Sequence, residues 1–143
     1  MLRRSDRSSG GSMTRRERSF MSGTRIIQFA AFLGATAVAA AAFGAHGLQD
    51  VLSAERLETW GTAARLQLVH AVALLALVAV PVRAKWPALL WIFGTFVFSG
   101  SLYALCLTGV SKLGAVTPIG GVSLIAGWTS LAFTVDRKAS ELT

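Results

Sequence analysis

Charged residues are absent from four long stretches of this chain. No Asp, Glu, Lys or Arg occurs in residues 26–49, 66–82, 86–111 or 113–135. Each stretch approaches or exceeds the roughly 20 apolar residues that cross a ~30 Å hydrocarbon layer as an α-helix. A helix pairs its own backbone amides, so each stretch can lie in lipid without an unsatisfied backbone group. The sequence therefore predicts an all-α membrane protein with four transmembrane helices in an antiparallel bundle.

The four predicted spans divide the chain into a domain and two tails. Residues 1–25 are rich in Ser, Gly and Arg and contain little to bury, which is typical of a disordered tail. Residues 26–135 form the predicted transmembrane domain, and residues 136–143 form a short second tail. The predicted helices cover about residues 26–45, 62–82, 86–108 and 117–135.

Basic residues ahead of an apolar stretch also describe a secretory signal, and residues 42–45 would then be the cleavage region. The first apolar run is longer than the usual 7 to 15 residue signal core. Cleavage would also leave three helices, with the two termini on opposite sides of the membrane. We therefore expect the first helix to be retained, whichever of Met1, Met13 and Met21 is the start.

Lys and Arg are distributed unevenly around the predicted spans. Seven of the 14 basic residues precede the first span, whereas the first loop holds Arg56 and Arg65 against three acidic residues. The third loop holds Lys112 alone. Because cytoplasmic loops carry the excess of Lys and Arg, we expect both termini in the cytoplasm and the first loop outside. This pattern predicts a multi-pass membrane protein with a defined orientation.

The net charge of +7 raises the question of an anionic partner. The arginines near the N-terminus are not accompanied by the aromatic or glycine-rich patterns of nucleic-acid recognition. A basic segment next to a membrane helix attracts anionic lipid head groups. We therefore predict membrane lipid as a partner, together with a second copy of the chain or another membrane protein, and no nucleic acid.

The first loop is predicted to contain the start of a helix. Ser53 is a suitable N-cap, and Glu55 in the first turn favours the helix dipole. Apolar residues then recur at steps of three and four, so one helix is expected to begin near Ala54 and continue into the second span. On this helix, Trp60 is predicted to be an interfacial anchor and Arg65 to extend toward the membrane surface.

Small residues are concentrated in the first and last spans. Alanines recur at every fourth position of the first span, which allows neighbouring helices to approach closely and predicts a central helix. The last span is expected to begin with Thr117 as N-cap and Pro118 at the first helical position. Gly120 and Gly121 are predicted to permit close packing. The single Cys106 cannot form an intrachain disulfide and is interpreted as a small packing residue.

Polar residues of several spans are predicted to lie in the outer half of the membrane. At about 1.5 Å per helical residue, His46 lies at the outer edge and His70 about 10 Å deep. Ser99 lies near the level of His70. A histidine in hydrocarbon is costly without a partner, so we expect His70 to accept a hydrogen bond from the third span. The candidate polar cluster is His46, His70, Ser99, Ser101 and Tyr103.

The residue types of this cluster allow three functional interpretations. A bis-histidine haem is disfavoured because His46 and His70 differ in depth by about 10 Å. A hydrolase built from Ser99, His70 and Asp50 or Glu55 lacks a nucleophile elbow. A proton or small-solute pathway is more plausible, since intramembrane His and Tyr side chains relay protons, but four short helices without core acids leave little room for a monomeric pore.

Four sequence blocks resemble a known family. The blocks are "AAFGAHGL", "LSAERLETWGTAARLQLVHAVALL", "FSGSLYAL" and "TPIGG". In this order and spacing they resemble the membrane-protein family called domain of unknown function 423, which includes the eukaryotic transmembrane protein 256 group. The resemblance covers residues 26–135. Ala42 stands where the family usually has glycine, and an aromatic often found at position 65 or 66 is absent.

The resemblance implies a four-helix bundle in a bacterial inner membrane or an organelle membrane. It implies no established activity, and it carries over no catalytic residue, cofactor or metal ligand. We therefore expect a non-enzymatic integral membrane protein without a cofactor, with a structural, lipid-organising or partner-binding role. The alternative is a small oligomeric transporter or proton-conducting protein that uses the outer-half cluster.

Overall fold

The computed structural model describes the backbone of residues 15–80 and 85–140, and the side chains of residues 23–80 and 85–134. These residues form helices, and no strand occurs among them. The helices are α1 (Arg15–His46), α2 (Ala54–Ala79), α3 (Lys85–Thr108), a 3₁₀ helix (Ser111–Ala115) and α4 (Thr117–Ser140).

Four segments of these helices are long and apolar enough to cross a membrane, as the sequence predicted. Their bounds are Gly23–His46, Ala54–Ala79, Lys85–Thr108 and Ser111–Thr134. Helix α1 begins well before the predicted span and takes in part of the segment predicted to be a tail. Residues 1–14, 81–84 and 141–143 lie outside the described residues. The predictions for those parts of the two tails and for the second loop therefore remain predictions.

The start of α2 confirms the helix predicted in the first loop. Ser53 is the N-cap in an extended conformation, with φ −63° and ψ 157°. Its hydroxyl accepts a hydrogen bond from the Arg56 backbone N–H at 3.4 Å. This contact satisfies one of the four backbone amides that a helix start leaves unpaired. Helix α2 then continues without interruption from the first loop into the second span.

The helices pack in the order of the chain. Helix α1 lies along α2, α2 along α3, and α3 along α4. Residue pairs between neighbours run in opposite chain order, such as Ala40 with Trp60 and Leu33 with Gln67 between α1 and α2. This order is consistent with the predicted antiparallel arrangement.

Helix α1 is at one end of this row, and the prediction that it is central is wrong. Its buried residues Ala30, Leu33 and Ala37 face α2, whereas Ala35 and Ala39 are exposed. A small-residue face allows a second helix to approach closely, but it supplies little contact area that would draw one there. In the described part of the chain, α1 makes extended contacts only with α2.

Helices α3 and α4 approach each other closely at two glycines. The position of a Cβ atom at Gly120 would overlap the backbone of Phe98, and one at Gly94 would lie 2.6 Å from the side chain of Leu124. A Cβ at Gly121 would instead meet Phe98 at an ordinary 3.7 Å. Gly120 therefore has the close-packing role that the sequence suggested, whereas Gly121 has space for a methyl group.

Candidate functional site

Gln67 lies at the centre of a polar network in the middle of the bundle. Its side-chain amide donates to the Leu33 carbonyl at 2.9 Å and to the Thr36 hydroxyl at 2.7 Å, both on α1. Its amide oxygen accepts from the Tyr103 hydroxyl of α3 at 3.0 Å. One buried side chain of α2 thus connects three helices.

Trp60 supports the end of this network that is nearer the first loop. Its indole N–H donates to the Ala40 carbonyl of α1 at 2.7 Å, and its ring lies 4.5 Å from that of Tyr103. Only 6% of Trp60 is exposed. This burial corrects the prediction of an interfacial anchor, because helix periodicity places a residue at a depth but does not show whether a neighbouring helix covers it.

Arg65 lies on the exposed surface of α2. Its guanidinium donates to the Thr62 hydroxyl at 3.1 Å, one turn closer to the start of the helix. The side chain therefore extends toward the end of α2 that joins the first loop. This direction agrees with the predicted extension toward the membrane surface.

The two serines of the predicted cluster hold different pairs of helices together. The Ser99 hydroxyl is buried and donates to the Ala63 carbonyl of α2 at 2.9 Å. The Ser101 hydroxyl lies 2.8 Å from that of Thr117, which joins α3 to the start of α4. Thr117 is the first residue of α4, so the predicted helix start is correct to within one residue. Pro118 follows it and is exposed.

His70 is buried, with 3% of its surface exposed, but none of the predicted donors binds it. Its Nδ1 lies 2.8 Å from the Leu66 carbonyl, which can only accept, so Nδ1 carries the proton. Its Nε2 then accepts from the indole N–H of Trp128 on α4 at 3.2 Å. The prediction of a donor on α3 is wrong because Ser99 lies level with Ala63, seven residues before His70 on α2, which is about 10 Å along the helix.

His46 lies outside the cluster. It occupies the last turn of α1 and is exposed. The structure therefore brings Tyr103 and Ser99 near the Gln67 network, places His70 with two tryptophans, and leaves His46 at the surface. The centroid of the His70 ring lies 6.2 Å from that of the Trp91 ring and 6.1 Å from that of the Trp128 ring.

A groove lies between α1 and α3, with α2 as its floor. Its volume is about 230 Å³, and the Gln67 network lines its inner surface. Phe32 of α1 and Phe96 of α3 lie at its rim and are 56% and 50% exposed. These rings lie on the lateral faces of the spans, which are exposed in the bundle. The groove therefore opens sideways toward the lipid rather than toward either aqueous side.

Thr95 lines the same groove and has an unusual hydrogen-bonding state. Only 1% of Thr95 is exposed, and its hydroxyl has no partner. Several other helical threonines, including Thr36 and Thr129, donate to the carbonyl four residues earlier. A buried polar group without a partner costs free energy, so such groups in native proteins call for an explanation. Among the buried side-chain atoms that the structure describes, Trp91 Nε1 alone shares this state.

Sequence reasoning missed the three residues that organise these sites, namely Gln67, Thr95 and Trp128. Gln67 carried a usable signal, because an amide inside a charge-free span is expensive unless it is paired. Thr95 and Trp128 carried none, because their roles depend on which helix faces which.

We expect a double-mutant cycle to detect the contact between His70 and Trp128. His70→Leu combined with Trp128→Phe should give a coupling free energy of about 0.6 kcal/mol, with about 1.7 kcal/mol as the upper range for membrane hydrogen bonds. The measurement is reversible unfolding in mixed micelles. The matched cycle of His70→Leu with Ser99→Ala should give no coupling, and coupling in that second cycle alone would restore the sequence-based partner.

Comparison with known proteins places these features in a family context. The sequence profile described as "Protein of unknown function (DUF423)" matches residues 40–121. The chain is 46% identical to UPF0382 membrane protein SSP2132 of Staphylococcus saprophyticus, over 66% of this chain and 82% of the relative. It is 39% identical to UPF0382 inner membrane protein YgdD of Escherichia coli, over 77% and 90% of the two chains.

A eukaryotic relative shows similar coverage. The chain is 36% identical to UPF0382 membrane protein C1782.12c of Schizosaccharomyces pombe, over 71% of this chain and 93% of the relative. No solved structure matches the chain. The matched residues 40–121 contain Trp60, Gln67, His70 and Tyr103, so the polar network and the groove lie largely within the matched region.

Proposed function

The chain belongs to the DUF423 family of UPF0382 membrane proteins, and from this premise we propose that it is a non-enzymatic inner-membrane protein that binds a lipid sideways from the bilayer. The groove between α1 and α3 is the binding site in this proposal. The observation that carries it is a lipid-facing opening with a polar inner surface, formed by Gln67, Tyr103 and Thr95.

The position of the groove favours a lipid over a water-soluble ligand. Thr36 is ten residues from the end of α1, and Thr95 is ten residues from the start of α3. At about 1.5 Å per residue, both lie about 15 Å from a helix end, near the middle of a ~30 Å hydrocarbon layer. A ligand reaches this depth most readily through the bilayer itself.

Three hydrogen bonds support the non-enzymatic part of the proposal. The Ser99 hydroxyl donates to a backbone carbonyl, and both nitrogens of His70 are occupied by Leu66 and Trp128. A nucleophile needs a base within hydrogen-bonding reach, and these two side chains are each committed elsewhere. The same engagement of His70 disfavours the proton-conducting alternative, because a relay needs a nitrogen that is free to exchange partners.

Lipid analysis tests the proposed function. Wild-type protein is purified from its native membrane in mild detergent, and the co-purifying lipids are identified by mass spectrometry. A Cβ at Gly100 meets nothing within 4 Å, so Gly100→Leu should narrow the groove without a clash and reduce the retained lipid. Leu107→Phe adds bulk at an exposed α3 position outside the groove and serves as the control.

The outcomes of that experiment separate the competing functions. Equal lipid retention by wild type and Gly100→Leu would contradict lipid binding in the groove. Retention of one particular protein in place of lipid would favour a partner-binding role. Proton or solute flux in proteoliposomes that disappears with His70→Ala would favour the transport alternative.

We also expect a defined orientation for the four helices. The excess of basic residues before the first span and their scarcity in the third loop favour an orientation with both termini in the cytoplasm and Asp50 outside. Reporter fusions at Asp50 and after Thr143 measure this directly. A cytoplasmic signal at Asp50, or an external signal at the C-terminus, would reverse the assignment.

A further inference from the structure

Nearly all of the side-chain N–H and O–H groups that line the groove already donate a hydrogen bond within the protein. Both N–H groups of Gln67 are donated to α1, the Tyr103 hydroxyl donates to Gln67, and the Ser99 hydroxyl donates to α2. The Thr36 hydroxyl donates within its own helix. Hydroxyl oxygens also accept hydrogen bonds, and none of the described residues donates to the hydroxyl of Tyr103 or Ser99. The groove therefore offers mostly acceptors to a ligand.

Thr95 supplies the one complementary group. Among the described hydroxyl groups that line the groove, that of Thr95 is the only one without a hydrogen-bond partner. A rotation about χ1 exchanges the hydroxyl with the methyl group of a threonine, and both positions are staggered. The inner surface thus combines accepting oxygens at Tyr103 and Ser99 with a single unused donor at Thr95.

Charge restricts the ligand further. None of the described side chains that line the groove is charged. A carboxylate or phosphate at this depth would face accepting oxygens and would have no cation to pair with, which is strongly unfavourable in a low-dielectric medium. A ketone or ester offers only acceptors, so it could use Thr95 alone. A hydroxyl group can donate to Tyr103 or Ser99 and accept from Thr95.

The size of the groove permits a ring. Its volume of about 230 Å³ exceeds the roughly 150 Å³ of an apolar protein cavity that binds benzene. The exposed rings of Phe32 and Phe96 at its rim can pack against an aromatic or alicyclic ligand in offset or edge-on geometry. A tail attached to such a ring can leave the groove between these two residues into the bilayer.

We infer that the groove between α1 and α3 binds a neutral, lipid-soluble molecule with a ring that carries a hydroxyl group, such as a phenol. This inference rests on the proposed function, because it names the chemical class of lipid that the same groove selects. The ligand hydroxyl donates to an accepting oxygen of Tyr103 or Ser99, and its ring occupies the space between Phe32 and Phe96.

A matched pair of probes tests the hydroxyl requirement. Binding of 4-octylphenol and 4-octylanisole to the full-length protein is measured in phosphatidylcholine nanodiscs, with empty nanodiscs as the correction for partitioning. The anisole differs by methylation of the hydroxyl, which removes the donor and leaves the oxygen. We expect the phenol to bind roughly threefold to tenfold more tightly, as one net hydrogen bond gives.

Variants locate the binding in the groove. Gly100→Leu should abolish saturable binding of both probes, whereas the control Leu107→Phe should leave it unchanged. Ser99→Ala should reduce the preference for the phenol, because it removes an acceptor that only the phenol can use. Thr95→Val should weaken binding of both probes and leave their ratio unchanged, because both ligand oxygens can accept from Thr95, and Thr95→Ser should retain the binding. The phenol-to-anisole ratio is an internal measure, so it stays informative when a variant is less stable overall.

The binding results distinguish a wrong ligand class from a wrong function for the groove. Equal binding of the two probes that disappears in Gly100→Leu would overturn the hydroxyl requirement while leaving lipid binding intact. Saturable binding that persists in Gly100→Leu would place the ligand elsewhere and overturn the inference. No saturable binding of either probe, together with unchanged native lipid in Gly100→Leu, would overturn both.

Discussion

Gly120→Ala is expected to destabilise the protein by about 3 kcal/mol, near the upper end of the range for an overpacked interior. The added methyl group would overlap the backbone N and Cα atoms of Phe98. A flexible side chain could rotate away, but a helix backbone can yield only if α4 moves relative to α3. That movement would also disturb the Ser101 contact with Thr117.

The measurement for this variant is the free energy of unfolding in mixed micelles, and the neighbouring glycine is the control. Gly121→Ala makes the same chemical change one residue away, where the methyl group meets Phe98 at 3.7 Å. Because alanine is favoured over glycine in a helix interior by about 1 kcal/mol, Gly121→Ala should be neutral or stabilising. Equal effects of the two variants would show that α3 and α4 are not this close.

Gln67→Leu is expected to lower the free energy of unfolding by about 2 kcal/mol. The substitution removes three hydrogen bonds that join α1, α2 and α3. Interhelical hydrogen bonds in membranes contribute on the order of 0.6 kcal/mol each, so three of them account for this value. The loss should exceed that of any single-bond variant such as Tyr103→Phe.

The control for Gln67→Leu is the same substitution at Gln28. Gln28 lies within the first span but is exposed, so Gln28→Leu should be neutral or stabilising in lipid. Comparable destabilisation by both substitutions would mean that Gln67 contributes through polarity alone rather than through the network. Stabilisation by Gln67→Leu would show that the amide is retained at a cost and would point to a functional role.

Properties that depend on position along one helix were predictable from the sequence. The four charge-free runs correspond to the four spans, because charge is expelled from hydrocarbon wherever a helix crosses it. The start of α2 at Ala54 followed from Ser53 and Glu55, since capping acts through the nearest turn. The family was recognised from four short blocks in the correct order.

Contacts between helices were not predictable in the same way. Each helical residue advances the chain by 1.5 Å and turns it by about 100°, so counting residues along one helix shows neither the direction of a side chain nor its level relative to a neighbouring helix. His70 and Ser99 were paired by an expected common depth, yet Ser99 binds Ala63, seven residues before His70, and His70 binds Trp128. Trp60 was placed at the interface by depth, yet α1 and α3 bury it.

The sequence by itself determined the number of spans, their approximate ends and the abundance of small and polar residues among them. Only the tertiary structure decided that α1 lies at one end of the row and that its separation from α3 leaves a groove over Gln67. The physical reason is that lipid is as apolar as the exposed faces of these helices. Burial of apolar surface therefore does not select the neighbours, which are chosen by close packing at Gly120 and by hydrogen bonds such as those of Gln67.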